Sequence, residues 1–387
     1  MAQIPRELGR PSEKGELLRP CDYFDLICGT STGGLIAIML GRLRYTVQDA
    51  IGVYLSLTET VFTSISPDTD AAFDHKVLEE QIKGVISNAP GNPDKLTEFA
   101  DPGLVDWNTS ISPGGCRTFV VALQTRGTGD NATLLRTYGT RLDSPSPGRI
   151  WEVCRATSAA PTFFRPIVVD RIKYGDGGLV ANNPTRLAIQ EASEIWPGRS
   201  IGCLLSLGTG EVAPNQLVEK EHLPREGWAG WIFASLAPKS KFQLEVAKWC
   251  VQNTTRCAKV HNDILANVNR DGLRGTYFRL NTPDIGNIGL EEWERMDDMF
   301  ALARDYMAPR HMRELKSTIA RQIIQSTPLP PQPSYSAPRG EHQAHVNSLT
   351  PQLSVAVIEY TQAQNDGGTA GDSSTGTYRY DSSTTAH

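Results

Sequence analysis

The sequence predicts an α/β fold with a mainly parallel central sheet. Three observations support this fold class: short apolar runs typical of buried strands, helical patterns between them, and a glycine-flanked turn that joins the first strand to a helix. The runs at 118–123 and 200–207 show no polar alternation, which indicates strands covered on both faces. The predicted strands lie at 23–28, 118–123, 134–138, 165–169 and 200–207.

Helices are predicted where apolar residues recur at helical spacing. The first begins at about Thr32, directly after the turn, and the second is opened by Thr46, whose hydroxyl can cap a helix N-terminus. The segment 87–115 is rich in Gly, Pro, Asn and Asp and is predicted to be a loop. The remaining predicted helices lie at 75–85, 150–157, 184–195, 239–251, 290–307 and 309–325.

Composition divides the chain of 387 residues into three parts. Residues 1–20 are polar and interrupted by prolines, so they are predicted to form an N-terminal loop. Residues 21–325 are predicted to form one domain. Residues 326–387 are dominated by Pro, Ser, Thr, Gln and Gly, which bury too little apolar surface to offset chain entropy. We therefore predict that 326–387 is a disordered C-terminal tail.

Charge and cysteine content favour a cytoplasmic protein. The formal net charge is -5 and no clustered basic run occurs, which argues against nucleic acid as a partner. Seven cysteines without Cys-x-x-Cys spacing indicate reduced thiols. The first twenty residues contain no apolar signal-peptide core, and no run reaches the ~18 apolar residues of a membrane span. The sequence carries no sign of the oligomeric state.

The glycine-flanked turn is the strongest chemical signal. Gly29-Thr30-Ser31-Thr32-Gly33 has the Gly-x-Ser-x-Gly pattern of a nucleophile elbow, set between a strand and a helix. Side chains at Gly29 and Gly33 would collide where the chain reverses sharply. Ser31 is therefore a candidate nucleophile. The backbone N–H of Thr32, at the positive end of the helix, is a candidate oxyanion donor.

Two residues are candidates for the base that a serine nucleophile needs. His261 would fit the Ser-Asp-His order of an α/β-hydrolase, although a surface or structural role is the commoner one for such a histidine. Asp176 lies between Gly175 and Gly177-Gly178, so its carboxylate can press against another backbone element, where burial would raise its pKa. A simple Gly-Asp-Gly turn is the alternative interpretation of these residues.

Three motifs, in this order, resemble the patatin-like phospholipases: Gly-Thr-Ser-Thr-Gly-Gly at 29–34, Ala-Thr-Ser-Ala-Ala-Pro-Thr at 156–162 and Asp-Gly-Gly at 176–178. The resemblance extends over about 21–210 and implies a patatin-like three-layer α/β/α fold. It implies a Ser-Asp dyad without histidine, in which Ser31 is the nucleophile and Asp176 is the general base. The motif glycines that surround this dyad are Gly29, Gly33, Gly34, Gly177 and Gly178.

The resemblance also implies a reaction. It is the hydrolysis of fatty-acyl esters in phospholipids or related lipids through an acyl-enzyme, without a metal or cofactor. The substrate would be reached at a peripheral membrane surface.

One family feature has no counterpart in the sequence. The family carries a glycine-rich Asp-Gly-Gly-Gly-x-Arg-Gly loop after its first strand, before the serine, and the backbone N–H groups of that loop form the oxyanion hole. Residues 1–20 contain only Gly9 and Gly15, so the loop and its strand are predicted to be missing, leaving a gap or an edge beside the nucleophile strand. Two hypotheses follow: a truncated form of an active enzyme, or a degenerate member that binds lipid without hydrolysing it.

A cluster of large apolar residues at 228–233 allows two interpretations. Trp228, Trp231, Ile232 and Phe233 have the composition of a wedge that inserts into a lipid surface. Packing in the protein core is the commoner use of such residues.

Overall fold

The computed structural model describes residues 18–67, 71–90, 98–100, 115–126, 129–161, 163–210, 257–285, 292–326 and 352–359, together with residues 1, 4 and 288. The predictions for 239–251, for 228–233 and for nearly all of 1–20 lie outside the described residues.

Within the described part of the chain, eight strands form one sheet, in the order β4-β5-β2-β1-β8-β6-β7 with β3 also paired to β2. Five of them, from β2 to β7 in this order, run parallel, which confirms the predicted fold class. The strands are β1 (Leu26–Thr30), β2 (Arg117–Arg126), β3 (Gly129–Arg136), β4 (Ile167–Val169), β5 (Ile172–Asp176), β6 (Ile201–Leu207), β7 (Tyr277–Leu280) and β8 (Leu353–Ile358).

Helices lie on both sides of the sheet. They are α1 (Thr32–Ala37, continued by a π-helical turn at Ile38–Arg42), α2 (Val47–Phe62), α3 (His75–Ser87), α4 (Ile150–Thr157), α5 (Thr185–Ile195), α6 (257–267), α7 (Met296–Met307) and α8 (Arg310–Ser326). The bounds of α4, α5 and α8 agree with the predicted ones within one residue. The hydroxyl of Thr46 caps α2 as predicted, accepting the N–H of Asp49 at 3.1 Å.

Alternate residues of the buried strands pack on opposite helical layers, as the two-residue period of a strand requires. In β1, Leu26 and Cys28 pack in one apolar cluster with Ala188 and Ala192 of α5. Ile27, between them, packs in another cluster with residues of α8. The sheet is therefore the middle of three layers, with β1 buried at its centre.

Three observed strands, β5, β7 and β8, were not predicted, and β3 has different bounds from the predicted strand. β3 begins at Gly129 rather than Leu134, because it forms a continuous antiparallel hairpin with β2 through residues that have little apolar character. β7 was not predicted, because its four residues are only partly buried and pair with a single neighbour, β6.

The prediction that residues 326–387 form a wholly disordered tail is wrong for 352–359. Residues Leu353–Ile358 form β8, which is buried at every position and pairs in parallel with β1 on one side and β6 on the other. The strand therefore lies in the position where a gap or an edge was predicted beside the nucleophile strand. Composition averaged over the tail hid a six-residue segment with five apolar residues, three of them β-branched, that completes an existing sheet.

None of the described helices is long and apolar enough to span a membrane. The six cysteines in the described residues are buried.

The placement of β8 predicts a large cost for a charge in this strand. Val357 is fully buried, so Val357→Asp should lower the free energy of unfolding by about 3 kcal/mol or more, because the carboxylate has no partner there. Val168→Asp is the control, since Val168 is 62% exposed on β4 and should change stability by less than about 0.5 kcal/mol. Urea unfolding followed by circular dichroism measures both. Equal stability of the two variants would show that residues 353–358 do not lie inside the sheet.

Candidate active site

The chain reverses sharply at Ser31, between the end of β1 and the start of α1. Ser31 has φ 54° and ψ -123°, a conformation that costs free energy for a residue with a side chain. The reversal needs small neighbours: a Cβ on Gly29 would lie 2.1 Å from the carbonyl oxygen of Gly33. The strand, the strained serine and the helix therefore form the predicted nucleophile elbow.

The register of β2 explains how Asp176, 145 positions away in the sequence, reaches Ser31. One edge of β2 is covered by β3 along most of its length. β1 and β5 share the other edge end to end: Thr30 of β1 lies opposite Val121, and Asp176 of β5 lies opposite the next residue, Ala122. Because β1 and β5 approach this point from opposite directions, the residue after Thr30 meets the last residue of β5.

The side chains of Ser31 and Asp176 form a direct hydrogen bond. The hydroxyl of Ser31 donates to Oδ2 of Asp176 at 2.6 Å, and both residues are only 2% exposed. Burial raises the pKa of Asp176 to about 7, although the hydrogen bonds from Ser31 and from the N–H of Gly178 act in the opposite direction. A carboxylate with this pKa is a far stronger base than an exposed aspartate and is still ionised in half of the molecules near neutral pH.

The two glycines after Asp176 allow the carboxylate to approach β2. A Cβ on Gly177 would lie 2.1 Å from the carbonyl oxygen of Val121, so a side chain at this position would force β5 away from the elbow. The N–H of Gly178 donates to Oδ1 of Asp176 at 2.6 Å and fixes the orientation of the carboxylate. Oδ2 then faces Ser31.

The segment after α4 holds both residues of the pair from behind. The hydroxyl of Thr157 accepts the backbone N–H of Ser31 at 3.0 Å and donates to the carbonyl of Val121 at 2.6 Å. Two residues further on, the carbonyl of Ala159 accepts the N–H of Asp176 at 3.1 Å. The second sequence motif therefore positions the candidate nucleophile and the candidate base. No role was predicted for Thr157 from the sequence, although it lies in this motif.

Of the other predicted site residues, Thr32, Gly33 and Gly34 lie in α1 next to Ser31, whereas His261 lies elsewhere. Gly33 and Gly34 lie in the first turn of α1, where a Cβ on Gly34 would lie 2.8 Å from Oγ1 of Thr157. Thr32 is the first residue of α1, and its role as an oxyanion donor stays a prediction. His261 lies far from the elbow: its Nδ1 is 2.9 Å from the hydroxyl of Tyr277 on β7. That strand is three strands from β1, a distance of roughly 14 Å at the usual spacing.

No group of three or more His, Cys, Asp or Glu side chains among the described residues could hold a metal ion.

Removal of the Thr157 hydroxyl should weaken the elbow. Thr157→Val keeps the shape of the side chain but leaves the N–H of Ser31 and the carbonyl of Val121 buried without this partner, which should cost about 1–3 kcal/mol of unfolding free energy. Thr58→Val is the matched control, because Thr58 is equally buried but its hydroxyl only donates to carbonyls of its own helix. Urea titration of both variants provides the comparison, and equal losses would contradict a positioning role for Thr157.

Comparison with known proteins agrees with this geometry. Residues 12–189 match the family model of the patatin-like phospholipases. Phospholipase A I of Arabidopsis thaliana is 28% identical over 54% of this chain and 19% of its own length. Calcium-independent phospholipase A2-gamma of Rattus norvegicus is 30% identical over 48% of this chain and 24% of its own length. Patatin-like phospholipase 1 of Plasmodium falciparum is 25% identical over 81% of this chain and 45% of its own length.

This chain thus spans less than half of the length of each of these relatives. The family match covers the elbow at Ser31, the segment that holds it and the Asp-Gly-Gly motif at 176–178. Residues 12–189, which include all three motifs of the site, are thus similar to the patatin-like phospholipases.

Proposed function

We propose that this protein is a serine lipid acyl hydrolase of the phospholipase A type, which uses Ser31 as nucleophile and Asp176 as general base. The observation that carries the proposal is the 2.6 Å hydrogen bond from the Ser31 hydroxyl to the buried Asp176 carboxylate, at the tip of a nucleophile elbow. A serine hydroxyl is a weak nucleophile at its own pKa and needs a base within this distance.

The proposed reaction has two stages. Asp176 takes the proton of the Ser31 hydroxyl while the oxygen attacks the acyl carbonyl of the lipid, and the tetrahedral intermediate collapses when the protonated Asp176 gives that proton to the departing alcohol. The products are an acyl-enzyme on Ser31 and a lysolipid. Water then attacks the acyl-enzyme with Asp176 again as base, which releases the fatty acid and restores the serine.

The negative charge that develops on the carbonyl oxygen needs donors close to Ser31. We propose the backbone N–H of Thr32, at the positive end of α1, as one of them. The N–H of Ser31 itself is held by Thr157 and serves to fix the elbow.

The substrate class is proposed from the relatives. The matched proteins of Arabidopsis thaliana, Rattus norvegicus and Plasmodium falciparum are all named phospholipases. We propose that the substrate of this chain is also a lipid with a fatty-acyl ester, and that the protein reaches it at a peripheral membrane surface from the cytoplasm. The alternative is a lipid-binding module that does not turn over its ligand.

A fluorophosphonate probe tests the nucleophile. The probe should label the wild-type protein, and Ser31→Ala should abolish labelling, because the phosphorus atom bonds to the activated serine oxygen. Ser193→Ala is the control: Ser193 is a helix-surface serine whose hydroxyl donates to the carbonyl of Gln190, and its loss should leave labelling unchanged. Mass spectrometry of the labelled peptide identifies the site. Labelling that survives Ser31→Ala would refute the assignment.

Liposome assays distinguish the alternative. Release of fatty acid from phosphatidylcholine vesicles supports the hydrolase. Vesicle binding without release, combined with a failure of the probe to label Ser31, supports the lipid-binding module.

The labelling rate should also depend on pH. The carboxylate form of Asp176 is the base, and burial raises its pKa to about 7, so the rate should rise as pH increases and reach half of its plateau near pH 7. Asp176→Asn should lower the plateau by roughly 10²-fold or more and remove this dependence, because an amide cannot accept the proton. Rates measured from pH 5 to 9 provide the test. A midpoint near pH 4 would indicate that Asp176 is not desolvated as the structure shows it.

A further inference from the structure

A buried ion pair lies at the carboxyl end of β8, the strand next to the nucleophile strand. The carboxylate of Glu359, the residue directly after β8, accepts hydrogen bonds from Arg279 of β7 and from the hydroxyl of Ser206 of β6. Glu359 is fully buried, and the Arg279 side chain is 7% exposed. The Ser206 hydroxyl also accepts from Arg279 at 3.2 Å and from Thr185 of α5 at 3.3 Å. These contacts join three neighbouring strands at one level of the sheet.

The backbone beside this ion pair contacts the nucleophile elbow. A Cβ on Gly33, two residues after Ser31, would lie 2.4 Å from the carbonyl oxygen of Ile358 and 2.8 Å from that of Glu359. On the other side, the N–H of Glu359 donates to the carbonyl of Leu207 at 2.9 Å. The end of β8 is therefore one wall of the space in which the first turn of α1 lies.

The apolar residues of β8 do not define its register by themselves. Leu353–Ile358 is buried at every position, so a slide along β1 would not move its apolar residues into solvent, which is the penalty that usually specifies register. A slide would, however, withdraw Glu359 from Arg279 and Ser206. At the other end of the strand, Asp25 accepts the N–H of Ser354 at 2.8 Å. Each end of the strand is thus held by its own carboxylate, Asp25 at the amino end and Glu359 at the carboxyl end.

Burial would lower the pKa of Arg279, but the charge of Glu359 and its hydrogen bond raise it above the ordinary value. Arg279 therefore stays charged beside the carboxylate of Glu359. Buried ion pairs contribute little stability compared with apolar residues of the same volume, whereas a role in specifying one arrangement is well attested. The ion pair of Glu359 and Arg279 is placed where it can select one register of β8 relative to β1.

We propose that Glu359 is a positioning residue for Ser31: by pairing with Arg279 it fixes the register of β8, and through the carbonyls of Ile358 and Glu359 it fixes the first turn of α1. The inference rests on the proposed function for its kinetic consequence. Its structural consequence, the order of the elbow, is measured independently of any reaction.

The test compares Glu359→Gln with Glu191→Gln in the full chain. Gln keeps the size of Glu359 and one acceptor oxygen, but it replaces the other oxygen by an NH2 donor and removes the charge that pairs with Arg279. Glu191 is the matched control, because it is 2% exposed and receives hydrogen bonds from Arg136 and Tyr138 in a cluster that does not include the elbow. Arg279→Met removes the other half of the pair, and Arg279→Lys restores its charge.

Reaction rates and hydrogen exchange are measured under conditions in which the wild type and each variant have the same fraction of folded protein. Glu359→Gln and Arg279→Met should lower the rate of fluorophosphonate labelling and kcat for a short-chain ester by roughly 10- to 100-fold with KM within about twofold, and Arg279→Lys should recover most of the loss. Hydrogen exchange of the peptide 29–40 should become faster in the two defective variants. Glu191→Gln should match the wild type in both readouts.

The outcomes separate the two proposals. Wild-type protein that neither labels nor hydrolyses ester refutes the proposed function, while faster exchange at 29–40 in Glu359→Gln still supports the positioning role. Exchange and labelling in Glu359→Gln equal to those of Glu191→Gln would overturn the inference. If Glu359→Gln fails to fold, Ser206→Ala removes one hydrogen bond to the same carboxylate, and wild-type exchange at 29–40 in that variant overturns the inference equally.

Discussion

The reversal of the chain at Ser31 is the constraint on which the rest of the structure depends. A residue with φ 54° in this conformation is strained, and such strain persists only where the surroundings fix the backbone from several directions. Thr157 holds the N–H of Ser31, and the carbonyl of Ser31 accepts the N–H of Leu35 at 3.0 Å. The end of β8 closes the space beside Gly33. Elements from three separate parts of the sequence therefore meet at one turn.

The buried carboxylate of Asp176 imposes a second, electrostatic constraint. A carboxyl group whose pKa is raised in the folded protein opposes folding as pH rises from the unfolded value, near 4, to the folded value of about 7. Two hydrogen bonds, from Ser31 and Gly178, offset part of this cost but do not cancel it. The site thus gives up stability as pH rises from about 4 to about 7. The same raised pKa would make Asp176 a stronger base in the proposed mechanism, which is a common relation between stability and function at a buried charge.

Much of the fold and part of the site could be predicted from the sequence, because the relevant signals are local. The elbow combines a strand, two glycines and a helix within a dozen residues, and α4 is bounded by its own amphipathic pattern. The contact between Ser31 and Asp176 is not local. Spacing alone left a Gly-Asp-Gly turn as the alternative for Asp176, and only the resemblance assigned it a role. The support from Thr157 depends on how α4 lies on β2, for which the sequence has no pattern.

The strand β8 shows most clearly why local composition is an incomplete guide. The entropy argument against structure in a Pro- and Ser-rich tail applies to a segment that must bury its own surface. Six residues that lie between two existing strands have a different free-energy balance. Their hydrogen-bond partners are supplied by β1 on one edge and β6 on the other, and their apolar side chains pack against the helices on both faces of the sheet. Parallel strands need no sequence proximity, only a connection long enough to cross the sheet. A residue near position 360 can thus contact the first turn of the helix that follows Ser31, although more than 300 positions separate them in the sequence.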